Sequence, residues 1–354
     1  MKQTKHFKKG ISELRQSLEV LGLETVDESL IEKEFIASLL MVSKSWQSSI
    51  ASSTLVSRQC DLRRFVKWCA QSSVNPFSSK EEMCLLIEQH VRYVAEVLSP
   101  GTVGRVSSNL TAFAVALNCD DAVRGSRERR RLIVRAAQRA PSPTGKTFLK
   151  PRLSLEQMRQ IRAIAFENSK GNIRGKRDLA IFDLMSDLMM RRSEAAGLKW
   201  KDVDVVSGRV TIAYSKTDQQ GKGVTFSLSP NAAETLGKWF DTFRASFSDG
   251  EALSSCPVFP GIRNSGKISL DGSGHPVFMD GKSVARVIQR YAATLDIEGV
   301  SGHSLRRSMA KVLYEAGVPE EEIVRKGRWS SLEQMREYVG ISTPIQGAMD
   351  LVFS

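Results

Sequence analysis

No stretch of this chain is apolar for long enough to cross a membrane, and its basic, then amphipathic start lacks the apolar core of a secretory signal. A soluble protein without a membrane partner is expected. Cysteine is scarce: five thiols, an odd number with no Cys-x-x-Cys pair, argue against a disulfide framework or a zinc site and fit a reducing cytoplasm. Cys60 and Cys69 are expected in a helix core. Internal repeats and low-complexity tracts are absent too. Acidic residues are in deficit: 39 Asp and Glu stand against 51 Lys and Arg, a formal charge of +12. Such an excess favours a polyanionic partner, most simply nucleic acid, with a merely soluble basic protein as the plainer alternative.

A length of 354 residues with 41% hydrophobic content is enough for sizeable cores and about two domains. Residues 1–27 are polar and charged, without a pattern strong enough to pack alone, and are expected to be flexible. Over 28–140 the pattern is helical. Leu62, Phe65, Val66 and Cys69 form one apolar stripe and Val106, Leu110, Phe113 and Leu117 another, predicting a compact helical domain. Its polar faces carry Arg58, Arg63, Arg64, Lys67 and Arg105. Cationic helices of this kind suit a DNA major groove, with Arg58, Arg63 and Arg105 as candidate contacts and a solvated face as the alternative. Arg127, Arg129, Arg130, Arg131, Arg135 and Arg139 then lead into Pro141-Ser142-Pro143-Thr144-Gly145-Lys146. Residues 141–152 thus read as a basic linker able to follow a phosphate backbone.

The second domain is expected over 153–354. Ser154-Leu155-Glu156-Gln157 has the pattern of a helix-opening capping box, and a second helix should run from about Lys176 to Met190. Three short β-rich runs follow: Val203–Val205, Arg209–Tyr214 and Val224–Leu228. They predict a small three-stranded sheet with Lys216 at the start of its second turn, where a flexible ammonium can swing into a neighbouring site. Ser229-Pro230 opens a further helix, and 249–280 reads as a long loop. A helix from Lys282 to Leu295 places Lys282, Arg286 and Arg290 on one face, with Lys282 and Arg286 as candidate DNA contacts. The fold class expected is mainly α with a small antiparallel β-sheet, α+β.

One stretch organises the rest. His303 and Arg306, three apart near a helix start, pair an imidazole with a guanidinium where backbone N–H groups also favour an anion such as phosphate. Tyr338 then supplies a hydroxyl that can serve as nucleophile in a phosphate site.

In chain order, Arg191 with Glu194 three residues on, Lys216 within Ser215-Lys216-Thr217, His303-x-x-Arg306, Trp329, and Tyr338 nine residues later form one set. With this set the chain resembles the tyrosine recombinases of the phage integrase family, and within them the Cre-like branch. The resemblance covers about 30 to 354 and is strongest in the second domain. It implies a helical core-binding domain and a catalytic domain that close as a clamp around DNA. It implies catalytic roles for Arg191, Glu194, Lys216, His303, Arg306 and Trp329, with Tyr338 the nucleophile of a 3′-phosphotyrosyl intermediate, and no metal or nucleotide cofactor. Exchange of strands through a Holliday junction at an inverted-repeat site would give excision, integration or inversion. The tail, with Ile345, Ala348, Met349 and Val352 at helical spacing, is expected to dock on a neighbouring copy and close a homotetramer on two DNA duplexes. A prokaryotic cytoplasm is implied, with a phage or plasmid gene. The rival readings are a type IB topoisomerase-like strand transferase and a non-catalytic DNA-binding protein.

Overall fold

The computed structural model describes residues 2–120, 122–140, 143, 152–212, 223–247 and 253–340, with side chains from residue 11 onward. The chain divides into two compact units, Met1–Phe148 and Leu149–Ser354.

The first unit is all helical: α1 (Lys2–Leu21), α2 (Lys33–Ser49), α3 (Ser52–Gln71), α4 (Lys80–Val97), α5 (Pro100–Ala116) and α6 (Ser126–Arg139). Both predicted stripes lie inside it, with Leu62 and Phe65 of α3 and Val106, Leu110 and Phe113 of α5 inaccessible to water. The N-terminal segment departs from expectation. Instead of being flexible, α1 buries Leu14, Leu18 and Leu21, and Leu23 follows them into the same core. Spaced four and then three apart, these leucines share one face that packs on α2; the charged residues between them occupy the opposite face and mask the period. Cys69 is buried, and burial pushes its thiol up to about 12, but Cys60 is exposed and not in the core.

The basic run ahead of the linker is also different from a solvated approach. It forms α6, and Arg130 is buried there, donating to Asp120 at 2.6 Å and to Ser126 Oγ at 2.7 Å. Arg127 pairs with Asp120 at 2.5 Å and Arg129 with Glu88 at 2.8 Å. These guanidiniums fasten the helix to its own unit.

The second unit opens as its sequence predicts. In the capping box of α7 (Leu155–Gly171) Ser154 Oγ accepts from Gln157 N at 3.1 Å, and Ser154 N donates to Gln157 Oε1 at 2.9 Å. Just before it, the Leu153 N–H donates to Ser308 Oγ at 2.8 Å, a buried bond spanning 155 residues. Next comes α8 (Ile173–Asp187), buried on nearly every side and capped by Asn172, whose side chain accepts from Gly175 N. It stops three residues before the expected Met190 because Met189 takes a left-handed backbone with φ 46°. A short α9 (Arg192–Gly197) follows.

The antiparallel sheet runs in the order β1 (Val203–Asp204), β2 (Arg209–Ile212), β3 (Val224–Ser227). Val203 pairs with Val210, and Val210 with Phe226. Val210 and Ile212, two apart, face the core, as alternation requires. Lys216 lies between β2 and β3, outside the described residues, as does the tail from 341.

The remaining helices are α10 (Pro230–Arg244), α11 (Gly281–Ala293), α12 (Gly302–Glu315), α13 (Glu320–Gly327) and α14 (Leu332–Val339). Trp239 of α10 is wholly buried and donates its indole N–H to Val258 O at 2.7 Å. The stretch read as an irregular loop carries paired backbone at Pro260 with Phe278, Ile262 with Ile268, and Leu270 with Pro276. At its end, α14 closes on Gly340 in the left-handed region, φ 67°, and a Cβ there would overlap the Arg152 guanidinium. Glycine adopts this backbone without strain and leaves room for Arg152.

Candidate active site

The site is assembled inside the second unit from the start of α9, the start of α12, the turn after α13 and the end of α14. Arg191 precedes α9 in extended backbone. Its own N–H donates to Glu194 Oε2 at 2.8 Å, and its Nη1 donates to Oε1 at 2.7 Å. The carboxylate therefore grips Arg191. Its Oε2 also accepts from Arg328 Nη2 at 2.7 Å. Burial alone would raise the Glu194 pKa; the charge of Arg328 and the bonds and charge of Arg191 outweigh it and hold the group below its ordinary value. It is a carboxylate shared by two guanidiniums.

Helix α12 begins at Gly302, with Ser301 and Ser304 capping one another, so His303 and Arg306 fall in its first two turns. Arg306 is almost wholly buried and donates to Met189 O at 2.8 Å and to Gly327 O. Its guanidinium lies 4.5 Å from the Trp329 ring. Burial, then the neighbouring charges of Arg191 and Arg328, push it down to about 10, which leaves it charged at neutral pH.

Trp329 is buried at the turn between α13 and α14. It is seated by Gly327, where a Cβ would overlap the indole. From there it walls the site, its ring 5.3 Å from that of Tyr338. Tyr338 sits in the last turn of α14, half-buried, with its oxygen 3.0 Å from His303 Nδ1. Burial raises the phenol pKa, against the lowering charges of Arg306, Arg307 and Arg191. It is a phenol at neutral pH with an imidazole beside it.

Six of the seven expected catalytic residues, Arg191, Glu194, His303, Arg306, Trp329 and Tyr338, thus meet in one place; Lys216 lies outside the described residues. Two arginines outside the expected set join the site. Arg307 donates Nε–H to Tyr338 O at 3.0 Å and flanks the ring at 5.5 Å. Arg328 is buried against Glu194. Nothing in spacing singles out either; only burial and the left-handed φ of Arg328 do so.

The candidate DNA contacts lie elsewhere. Arg58 is partly buried with its guanidinium 4.5 Å from the Trp46 ring, Arg63 pairs with Glu24 at 2.7 Å, and Arg105 pairs with the buried Asp61. On α11, Lys282 and Arg286 are exposed, whereas Arg290, expected beside them, is drawn to Asp178. Among the described residues no group of three His, Cys, Asp or Glu side chains converges as metal ligands would.

The phage integrase family model matches residues 151–343, more than half of the chain and the whole of this site. The chain belongs to the phage integrase family, that of the tyrosine site-specific recombinases. An integrase/recombinase XerD homolog of Selenomonas ruminantium is 26% identical over 315 residues, covering 85% of each chain. Tyrosine recombinase XerC of Syntrophus aciditrophicus is 24% identical, covering 68% of this chain and 70% of its own. Among solved structures, the Tn1549 transposon integrase in complex with transposon right end DNA shares the fold at TM-score 0.59 and 14% identity, covering 86% of this chain and 95% of that one. A lambda integrase dimer bound to a core site does so at TM-score 0.52 and 15% identity, covering 88% and 98%. The integrase fold thus extends through both units.

Proposed function

We propose that the chain cuts and rejoins DNA at a specific inverted-repeat site through a covalent 3′-phosphotyrosyl link, in the manner of the Cre-like recombinases. The reading rests chiefly on one observation: the Tyr338 hydroxyl is hydrogen-bonded to His303 beside the guanidiniums of Arg191 and Arg306. The Tyr338 oxygen attacks the phosphorus, its proton passing to His303, and the bond to the 5′ oxygen breaks. Arg191 and Arg306 take up the charge that grows on the non-bridging oxygens, and Trp329 keeps water from the wall behind them. Lys216 is assigned the proton for the leaving oxygen. Glu194 holds Arg191 in register. The link conserves the energy of the diester, so a second 5′-hydroxyl reverses the step without a nucleotide cofactor.

Lys282 and Arg286 on α11, with Arg58, Arg63 and Arg105 in the first unit, are assigned to DNA. Four copies joined through their tails would exchange strands by way of a Holliday junction. Residues 28–140 would then act as the core-binding domain and 153–354 as the catalytic domain, in a bacterial cytoplasm and from a phage or plasmid gene.

Duplexes selected from a random library with the Tyr338→Phe protein supply the test. On them the unaltered chain should form a denaturant-resistant adduct and the variant none, at equal affinity. An adduct with Tyr338→Phe overturns the assignment, and site-independent relaxation of supercoiled DNA would favour a topoisomerase.

A further inference from the structure

Arg328 stands at the centre of the site yet faces none of the solvent that DNA would replace. Its side chain is 4% exposed. One fork of its guanidinium, Nη2, donates to Glu194 Oε2 at 2.7 Å and to Met189 O at 3.2 Å. The other, Nη1, donates to Leu188 O and Lys326 O, both at 3.0 Å. The carbonyl of Met189 is the same one that receives Arg306 Nη1, and Glu194 is the carboxylate that holds Arg191. Arg191 Nη2 reaches back to the Arg328 carbonyl at 3.4 Å. The guanidinium also lies 5.2 Å from the ring of Phe226 in β3, the strand that follows the segment carrying Lys216. A single buried side chain thus touches a partner of each phosphate-facing arginine and the base of the hairpin.

The backbone bears a cost for this. Arg328 has φ 55° and Met189 φ 46°, left-handed values that disfavour side chains with a Cβ, and glycine would adopt both freely. The Nε of Arg328 is also buried without a hydrogen-bond partner among the described residues. Strain of this kind persists where the surroundings over-determine the residue. Position 328 accepts it, and what it holds there is a planar fork that no other side chain supplies.

We propose that Arg328 is a positioning residue that locks Arg191 and Arg306 into one fixed spacing, so that both meet the same phosphate. The inference rests on the reading of the site as a phosphoryl-transfer centre. Glu194 sets Arg191 from one side of the Arg328 fork and Met189 O sets Arg306 from its edge, while the carbonyls of Arg328 and Gly327 receive their further bonds. Removing the fork leaves the shared acceptors Glu194 and Met189 O without their common brace, so that the spacing of the two arginines relaxes, and a displacement of about 1 Å can cost on the order of 100-fold in rate. DNA affinity, carried by other cations, is unaffected.

Arg328→Gly separates side chain from backbone, since glycine keeps the left-handed turn without strain while the guanidinium is lost. Arg328→Lys keeps the charge but not the fork. On a duplex selected as above, single-turnover adduct formation should fall about 100-fold for Arg328→Gly at unchanged DNA affinity, with Arg328→Lys recovering part of it. In 15N–1H spectra of the free protein, the Nε–H signals of Arg191 and Arg306 should shift in Arg328→Gly. Rates within twofold of the unaltered chain, or unshifted Nε–H signals, overturn the proposal. A loss of rate matched by equal loss of DNA affinity and melting temperature assigns Arg328 to stability alone. If the unaltered chain forms no adduct, the phosphoryl-transfer reading falls, while the Nε–H signals still decide whether Arg328 fixes its neighbours.

Discussion

The Tyr338 oxygen lies 3.0 Å from His303 Nδ1, although 35 residues separate them, and the contact joins the last turn of α14 to the first turn of α12. Burial raises the phenol pKa, so the proposed attack would require that imidazole to take the proton. Replacing His303 with leucine should slow adduct formation by about 100- to 10,000-fold, the usual range for a lost acid–base group. Binding to the selected duplex should be unchanged. A rate within tenfold, read by quenched single-turnover assays, would show that another group takes the proton.

Glu194 faces two guanidiniums from a buried position. Removing the carboxylate with alanine leaves both charges uncompensated, so the unfolding free energy should drop by about 3–5 kcal/mol. Its depressed pKa fixes the pH dependence: the stabilisation is present above the ordinary carboxylate value of 4.5 and is lost as pH falls through the lower folded value. Urea titration of both proteins at pH 7 and pH 4 measures the loss, and equal midpoints at pH 7 would contradict it.

His90, wholly buried in α4 between Phe65 and Trp68, has neither ring nitrogen hydrogen-bonded among the described residues. Burial, then the charge of Arg64, lowers its pKa from 6.5 to about 4. Below pH 6.5 the unfolded chain takes up a proton that the folded chain refuses. The stability is therefore full above pH 6.5 and declines as pH falls towards 4, by roughly 3 kcal/mol in all. Melting curves of His90→Leu against the unaltered chain should diverge in their slope between pH 6.5 and 4; parallel curves would disprove it.

On α11, Arg286 is exposed and free of the Asp178 pairing that holds Arg290 one turn on. Binding-site selection with Arg286→Ala should relax preference at one or two base pairs, each worth about 1–3 kcal/mol. Uniform weakening at every position would instead mark a phosphate contact.

The site was legible because its chemistry needs particular side chains in a particular order, and Arg191, His303, Arg306, Trp329 and Tyr338 retain that order in sequence. Helices followed from apolar period, as at Leu62 and Phe65. Arg328 was not legible, since its placement comes from a left-handed turn and three acceptors, Leu188 O, Met189 O and Glu194, more than 130 residues away. The same holds for α1, whose leucine stripe is interrupted by charge, and for Arg130, whose burial depends on Asp120 across a turn. Sequence lists cations; it does not say which are neutralised inside the unit.

The bond from Leu153 to Ser308, together with Arg152 against Gly340, moors the opening of the second unit beside α12 and the end of α14. The stretch arriving from the linker is tied to the helix of His303 and Arg306, and it abuts the glycine that terminates the tyrosine helix. A displacement at Arg152 or Leu153 therefore reaches the helices of His303 and Tyr338 together. Residues inserted ahead of Arg152 leave the mooring whole, whereas one residue inserted between Leu153 and Ser154 must either draw the tether out of register with Ser308 or turn the capping box of α7 away from its helix.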